Sequence, residues 1–501
     1  MTTSPAAATF DIFALTLPAR ASSLPMARAL VDPLVASLGF GERDAYRVHL
    51  AVEEACSNVI EHAYAPGQAG DFTLRARVER SSLVLAVEDR GLPRDPFAQP
   101  GFSPDTPEGQ GLGTRLLEGM TDEVRYLALG RGGKSIEMLI RLPAAIPESG
   151  TPAAAEAPVV RIDPESLTIR GFRPQDAGQI AQCAYRCYDY SYVGESLYVP
   201  ERVIEMNQTG EMVSVVAEGP DGKVYGHAAL LFSAGAPAPE SGCAFVVPEA
   251  RGGGTFVRLK RELLAAARER GAPGVWSEAV TNHPASQRAN IELAAHETGI
   301  LFGIIPTSLR MRNLPGLSRR GSLLLFYVSF EERPVSRVCL PPRHRAFLED
   351  VYARMGFALD EVPPAEAPAD DASAVTVSVR PDVGLASMRV QTIGGDLVDV
   401  VRREITRACD AGARTVLLDL PMRDPGLPHA VSALERHGCH FAGIIPRRYA
   451  DGDSLRLTYL DHVQIDLSAL RIASPFGQTV RDYLVRGLSS ELLVRSDTQP
   501  V

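Results

Sequence analysis

Apolar residues recur with two different periods along this chain, and the switching between them lays out the elements. Leu83-Val84-Leu85-Ala86-Val87 has the pattern of a strand and runs out at Asp89. Upstream, the segment from Glu53 to His62 reads as a helix on which Glu54, Asn58 and His62 fall at i, i+4 and i+8 and share one face. Another helix begins near Leu112. From Leu167 the pattern predicts a strand through Arg170, a helix start at Pro174-Gln175-Asp176, and a helix to about Tyr188. Strands follow at 213–217, 224–231 and 243–247. After Gly252-Gly253-Gly254 comes a helix through Arg270, with Phe256, Leu259, Leu263, Leu264 and Ala267 at helical spacing, then a strand Gly274-Val275-Trp276-Ser277-Glu278.

Two stretches break this patterning. Residues 144–166 and 361–374 are rich in Ala, Pro and acidic residues and too poor in large apolar side chains to pack, so they are expected to be linkers. They divide the chain into domains 1–143, 167–360 and 375–490, with a tail at 491–501. A length of 501 residues with 45% hydrophobic content suits about three domains with real cores. The net charge of -10 argues against nucleic acid as a direct partner. No apolar run of about 18 residues and no signal segment is found, so the expectation is a cytoplasmic protein without a membrane partner. The seven cysteines are scattered and odd in number, which points to buried thiols. Cys183 and Cys187 stand one helical turn apart, but no second ligand pair with zinc spacing accompanies them.

Candidate chemistry begins on the first helix. Glu54 supplies a base, Asn58 an amide oxygen suited to a hard cation, and Asp89-Arg90-Gly91 is followed by Gly109-Gln110-Gly111-Leu112-Gly113. Alternating glycines let backbone N–H groups approach phosphates as the chain enters a helix. Each piece alone is also what a solvated helix face or a flexible turn looks like; the order and spacing of all three decide. Together they resemble the GHKL ATP-binding domain of sensor kinases, gyrases and Hsp90-type chaperones, most closely its bacterial anti-sigma-factor serine-kinase branch. The resemblance covers about residues 10–143 and includes Leu30-Val31 and Ala51-Val52-Glu53-Glu54-Ala55.

That resemblance implies an α/β sandwich that binds ATP and Mg²⁺. Asn58 would hold the metal, Glu54 would activate the attacking hydroxyl or water, Asp89 would read the adenine amine, and Gly91 would let the base approach. Gly109, Gly111 and Gly113 belong to the loop that would close over the triphosphate. The implied partners are an anti-anti-sigma (STAS-type) protein or a sigma factor. Two departures stand out: Pro93 replaces the second glycine expected after Asp89-Arg90-Gly91, and no phosphoacceptor-histidine helix precedes the domain.

In the second block a strand, a glycine loop and a helix succeed one another, an arrangement that holds a pyrophosphate through backbone N–H groups. The same loop is also a plain tight turn. In context, the block resembles the GNAT N-acetyltransferase superfamily, which uses acetyl-CoA. Arg251, Gly252, Gly253, Gly254 and Thr255 match its cofactor loop, although Glu249 stands where a glutamine or arginine is usual. Asn290, within Ser286-Gln287-Arg288-Ala289-Asn290, matches the asparagine that meets the pantetheine arm. Glu278 is the candidate base for taking a proton from the amine. The tyrosine usual after Asn290 is absent, and His296 is a substitute by position only. Tyr185, Tyr188, Tyr190, Tyr192 and Tyr198 with Glu195 either shape an acceptor site or pack a core.

The third block echoes the second. Gly303-Ile304-Ile305-Pro306 returns as Gly443-Ile444-Ile445-Pro446, and Val275-Trp276-Ser277-Glu278 as Val416-Leu417-Leu418-Asp419. At that offset Thr392 and Ile393 meet Arg251 and Gly252. Residues 375–490 are therefore expected to be a degenerate GNAT-like lobe, with an unrelated strand-helix-strand domain as the alternative. The overall expectation is an α/β (α+β) protein with an anti-sigma-type serine kinase domain and an acetyltransferase-like module acting on an unidentified amine. The alternative is a partner-switching protein that senses acyl-CoA without turnover; a homodimer is left open.

Overall fold

A computed structural model describes residues 9–65, 68–79, 81–92, 112–129, 133–143, 161–311, 316–365 and 372–494. Two compact units divide the chain, Met1–Pro158 and Val159–Val501. Helices and sheets are mixed in both, as the sequence pattern predicts.

The first unit runs β1 (Thr9–Pro18), α1 (Leu24–Ser37), α2 (Glu42–His62), β2 (Asp71–Glu79), β3 (Ser82–Asp89), α3 (Leu112–Met120), β4 (Glu123–Ala128) and β5 (Lys134–Arg141). Its sheet has the order β1-β2-β3-β5-β4, every neighbour antiparallel. Helix α2 starts well before the Glu53 at which its motif begins. Glu42 and Asp44 in its first turn and His62 in its last suit the helix dipole. Val48, Ala51, Val52, Ala55 and Val59 recur every three to four residues and are buried. They share one core with Leu74, Leu85, Val87 and Ile140 of the sheet. Each such aliphatic side chain contributes roughly 1.5–3 kcal/mol on burial. The opposite side of α2 is thereby left to Glu54 and Asn58, both half-buried.

In the second unit the sequence runs β6 (Thr168–Gly171), α4 (Ala177–Tyr188), α5 (Pro200–Thr209), β7 (Met212–Glu218), β8 (Val224–Leu231), β9 (Glu240–Val246) and α6 (Thr255–Glu269). It continues with β10 (Gly274–Val280), α7 (Ala285–Glu292), β11 (His296–Ile305), β12 (Gly321–Ser329), β13 (Val335–Val338), α8 (Arg345–Arg354) and β14 (Ala358–Glu361). The last part holds β15 (Ala374–Arg380), β16 (Leu385–Thr392), α9 (Leu397–Asp410), β17 (Thr415–Pro421), α10 (Leu427–Arg436), β18 (Cys439–Tyr449), β19 (Gly452–Leu460) and α11 (Pro475–Arg486). Residues on either side of 361–374 share one 12-stranded sheet, β15-β16-β17-β19-β18-β11-β12-β10-β9-β8-β7-β6, and one core. The stretch between them is tethered at its described ends: Val362 N–H donates to Val338 C=O at 2.8 Å and Ala365 N–H to Pro425 C=O at 3.0 Å.

One pattern of pairing occurs twice in this sheet. β9 is parallel to β10, β10 antiparallel to β12, and β12 antiparallel to β11. β16, β17, β19 and β18 repeat those senses in that order. The two sets meet where Gly299 of β11 faces Gly443 of β18. Each glycine follows a register shift, Glu297/Gly299 in β11 and Phe441/Gly443 in β18. Gly443 thus takes the place of Gly299 rather than of Gly303. The Gly-Ile-Ile-Pro echo is four residues out of step with the strand geometry, because the bulges, not the local sequence, set the register.

Only glycine fits at this junction. A Cβ on Gly299 would stand 2.1 Å from Ala442 C=O, and one on Gly443 2.3 Å from Thr298 C=O, with Gly443 also at φ +125. Gly443→Ala is expected to destabilise the second unit by about 2–4 kcal/mol, read as a lower denaturant midpoint for the full chain. An unchanged midpoint would mean that the junction relaxes freely.

Cys183 and Cys187 behave as packing groups. Both are buried, and their Sγ atoms donate to the carbonyls of Val224 (2.9 Å) and Val246 (3.5 Å). Among the described residues no cluster of metal ligands is found, and no helix is long and apolar enough to cross a membrane.

Candidate functional site

The first site is assembled at the end of α2. Asn58 Nδ2 donates to Glu54 Oε1 at 3.2 Å, so the two residues one turn apart are held together and Asn58 Oδ1 is left as the outward-acting oxygen. His62, which the helical spacing put on the same face, is exposed, and among the described residues only Glu61 lies within ion-pair distance of it, at 3.9 Å. The C-cap of α2, Ala63, clamps the turn after β3: Leu92 N–H donates to Ala63 C=O at 2.7 Å, and a Cβ on Gly91 would fall 2.1 Å from that oxygen. Gly91 is required by the close approach of two backbones.

Asp89 is 4% exposed. Its Oδ1 accepts from Gly91 N–H at 2.8 Å and from Lys134 Nζ at 2.7 Å, and Lys134 also donates to Leu92 C=O at 2.7 Å. Asp89 Oδ2 takes no hydrogen bond from any described residue. Lys134 was not legible in the sequence. It reaches Asp89 because the β3–β5 register sets the two opposite one another, and Gly133 admits the approach, its Cβ position being 2.0 Å from Asp89 C=O. Gly109 and Gly111 lie outside the described residues. Gly113 is in the first turn of α3.

The second site lies where β9 and β10 part. Their pairing is limited to Trp276↔Glu240 and Ser277↔Ser241. It stops because β9 bulges: against β8 the register shifts between Gly242 and Phe245, with Cys243 at φ 51. The bulge is held from β8 by His227, whose Nδ1–H donates to Cys243 C=O at 2.8 Å while Nε2 faces Ser214 Oγ at 3.0 Å. Burial pulls this imidazole down to about 4, so it stays neutral. Tyr188 and Tyr192 pack edge-on to Phe245 beside the bulge, whereas Tyr190 is 78% exposed.

Both strands run towards the same end, where β9 continues into the glycine loop and α6. Gly252, Gly253 and Gly254 have φ +96, +54 and +77, three successive left-handed residues at a helix N-terminus. Cβ atoms on Gly252 and Gly254 would meet nothing within 4 Å, whereas one on Gly253 would strike Pro164 at 2.4 Å. Gly253 therefore also serves packing. Arg251 turns back, with Nε donating to Val246 C=O at 3.0 Å. At this same end Thr255 Oγ1, Asn282 Oδ1, His283 Nδ1, Ser286 Oγ and Asn290 Nδ2 are buried without hydrogen-bond partners. Each unmade bond costs about 1–3 kcal/mol in a closed core, so such a set fits a polar ligand. Asn290 Oδ1 is taken by Lys260 Nζ at 2.7 Å, and burial lowers that amine to about 8.

Glu278 lies two residues beyond Trp276 and shares its face of the sheet. Glu240, at the start of β9, stands beside Trp276. Neither carboxylate has a hydrogen bond or ion pair from a described residue. Burial, then Glu240, pushes Glu278 up to about 8, and burial raises Glu240 as well; the two titrate as a pair. Glu240 was missed in the sequence because it precedes the apolar run that marks the strand. His296 instead shares a cross-strand row with Tyr327 and Trp276.

Residues 17–140 match the family described as the histidine kinase-like ATPase domain. The serine-protein kinase RsbW of Bacillus licheniformis is 30% identical over 126 residues, which cover 23% of this chain and 77% of that protein. RsbW of Bacillus subtilis (strain 168) is 30% identical over 127 residues, with the same two coverages. Among solved structures, the ribosomal-protein-alanine N-acetyltransferase from Brucella melitensis is 21% identical, covers 33% of this chain and 100% of its own, and has a TM-score of 0.27. The phosphinothricin acetyltransferase from Sinorhizobium meliloti, in complex with acetyl-CoA, is 19% identical, covers 33% and 90%, and has a TM-score of 0.28.

Proposed function

We infer that this chain, which belongs through residues 17–140 to the histidine kinase-like ATPase family that includes the RsbW serine-protein kinases, is a cytoplasmic regulator with two chemistries. The first is phosphoryl transfer from ATP to a serine of an anti-anti-sigma-type partner. The second is acetyl transfer from acetyl-CoA to an amine. Residues 375–490 are read as a degenerate copy of the acetyltransferase half.

The first reading is carried by the Glu54–Asn58 contact on the helix that clamps the Asp89–Gly91 turn. Glu54 would take the proton of the serine hydroxyl as its oxygen bonds to the γ-phosphorus and the bond to the ADP oxygen breaks. Asn58 Oδ1 would hold Mg²⁺, which when bound neutralises charge on the phosphates. Asp89 Oδ2 would accept from the adenine amine, with Lys134 fixing the other oxygen. Catalysis would then be positioning plus one proton acceptor.

The second reading is carried by the wedge between β9 and β10 opening onto the glycine loop at the N-terminus of α6. Backbone N–H groups of 252–255 would hold the pyrophosphate, and the unpaired Asn290 Nδ2 would donate to a pantetheine carbonyl. Glu278 would accept the proton that an ammonium must lose. The amine nitrogen then bonds to the acetyl carbon, the C–S bond breaks, and the thiolate leaves to be protonated. In the third block the matching positions are Thr392 and the buried Ile393, which removes the cradle.

Calorimetry on the full chain tests both. One Mg-ATP site and one acetyl-CoA site are expected. Gly252→Val should weaken acetyl-CoA at least about tenfold, or ~1.4 kcal/mol, because a β-branched residue opposes φ +96 and fills the approach. It should leave Mg-ATP unchanged. A second acetyl-CoA site, or full affinity in Gly252→Val, would remove the assignment.

A further inference from the structure

We propose that the third block selects the acetyl acceptor, with Arg448 binding an anionic group carried by the same molecule as the reacting amine. This rests on reading residues 167–360 as an acetyltransferase.

The argument starts from the curl of the sheet. β9 and β18 are separated by three strands in the sheet order, yet Ala238 N–H, just before β9, donates to Arg447 C=O of β18 at 3.2 Å. Arg389 of β16 likewise donates from Nη1 to Ala234 C=O at 3.1 Å. The sheet therefore folds its two halves towards one another on the face of Glu278. On that face the registers connect Asp419, Arg456, Gly443, Gly299, Leu325 and Glu278 in one cross-strand row. The middle of the row is glycine, where the two backbones approach too closely for a side chain. Side chains from the two halves reach across it: the guanidinium groups of Arg448 and Arg456 lie 5.2 and 5.8 Å from the centre of the Trp276 ring.

The charges on this face are unequally satisfied. Arg456 is paired in a fork with Asp419, at 2.7 and 2.9 Å. Burial, the largest influence on Asp419, favours the proton, but Arg456 and then Arg448 outweigh it and hold the carboxyl down at about 2. Asp419 is thereby committed. Arg448 has a single 3.5 Å contact from Nε to that same Asp419, and its side chain is 16% exposed. Its two terminal nitrogens donate no hydrogen bond to a described residue. Beside Trp276 stand Glu240 and Glu278, which take no hydrogen bond from a described residue and feel Arg448 and Arg456 only through space.

Those charges define the ligand. Two carboxyl groups with no hydrogen-bonded partner suit an amine, and a guanidinium whose terminal nitrogens are both open suits a carboxylate or other oxyanion. A plain amine would desolvate Arg448 without replacing its water, which is costly for a half-buried charge. An amine that also carries an acid group satisfies both ends, with the indole of Trp276 between them. The amine gives its proton to Glu278 and gains the acetyl group as the thioester C–S bond breaks; the oxyanion stays on Arg448 throughout.

Acetylation by the full chain should be compared for glycylglycine and glycylglycine amide, which differ only in the terminal anion. Glycylglycine is expected to have at least about a tenfold higher kcat/KM. Arg448→Gln should remove that preference through KM while acetyl-CoA affinity holds, and Arg448→Lys, which keeps the charge, should retain part of it. Calorimetric binding of both probes to the CoA-saturated chain gives a readout without turnover. Equal acetylation of both probes, or equal loss for both in Arg448→Gln, overturns the inference and leaves the transferase reading intact. Arg448-dependent binding of glycylglycine with no acetyl transfer supports the anion site and overturns the transferase reading; no discrimination in either assay overturns the anion site.

Discussion

Glu54→Ala is expected to slow phosphoryl transfer to a serine acceptor by about 10²–10⁴-fold while Mg-ATP affinity stays within about tenfold. Among the described residues Glu54 hydrogen-bonds to Asn58 alone and takes no part in the hydrogen bonds of the Asp89 turn. Its removal costs an interaction that matters when the hydroxyl proton moves. Asp89→Asn should do the opposite and abolish nucleotide binding. The buried carboxylate holds Lys134 and the Gly91 N–H on Oδ1 and offers Oδ2 outward; an amide keeps one oxygen and turns a donor towards either Lys134 or the adenine amine. Equilibrium ATP binding and single-turnover transfer of labelled phosphate on both variants separate the roles. Equal loss of affinity in the two would show the division to be wrong.

Glu278→Gln is expected to lower acetyl transfer by about 10²–10⁴-fold and at the same time to stabilise the second unit at alkaline pH. The carboxyl sits at about 8, above its ordinary 4.5, so the base form fills only as pH rises through about 8. Acetyl transfer by the unaltered chain should climb over that range. The sign for stability follows from the same shift. Between 4.5 and about 8 the folded chain keeps a proton that the unfolded chain has released. The group's contribution is therefore fully present below 4.5 and is lost as pH rises through 8. Glutamine has no proton to lose, so Glu278→Gln should melt above the unaltered chain at pH 9 and close to it at pH 5. A variant that melts lower at both pH values, or one that keeps its activity, would remove Glu278 as the base.

Several parts of both candidate sites were legible as short-range patterns. Glu54 and Asn58 come together because residues four apart on a helix are neighbours, and the apolar positions of α2 dictate which side they face. Gly252, Gly253 and Gly254 adopt left-handed angles at the start of α6, as a glycine run between a strand and a helix suggests. Other parts were not legible. Lys134 joins Asp89 through strand register 45 residues away. Glu240 becomes a neighbour of Glu278 through two residue pairs at the point where β9 and β10 part. The Gly-Ile-Ile-Pro echo pointed to a repeat but misplaced its register, because bulges at Gly299 and Gly443 shift the strands by amounts that no local motif encodes.

By itself, the sequence determined what depends on neighbours within a few turns: the amphipathic face of α2, the end of β3 at Asp89, the left-handed glycine loop before α6, and the family of the first unit. Periodicity and backbone freedom are properties of consecutive residues, so they survive without a fold. Tertiary structure alone decided which charges meet. Asp89 with Lys134, Glu240 with Glu278, and Arg448 over Trp276 are brought together by strand pairing and by the curl of one sheet. Those contacts span long sequence separations, and their electrostatics depend on a burial that exists only once the sheet has closed over them.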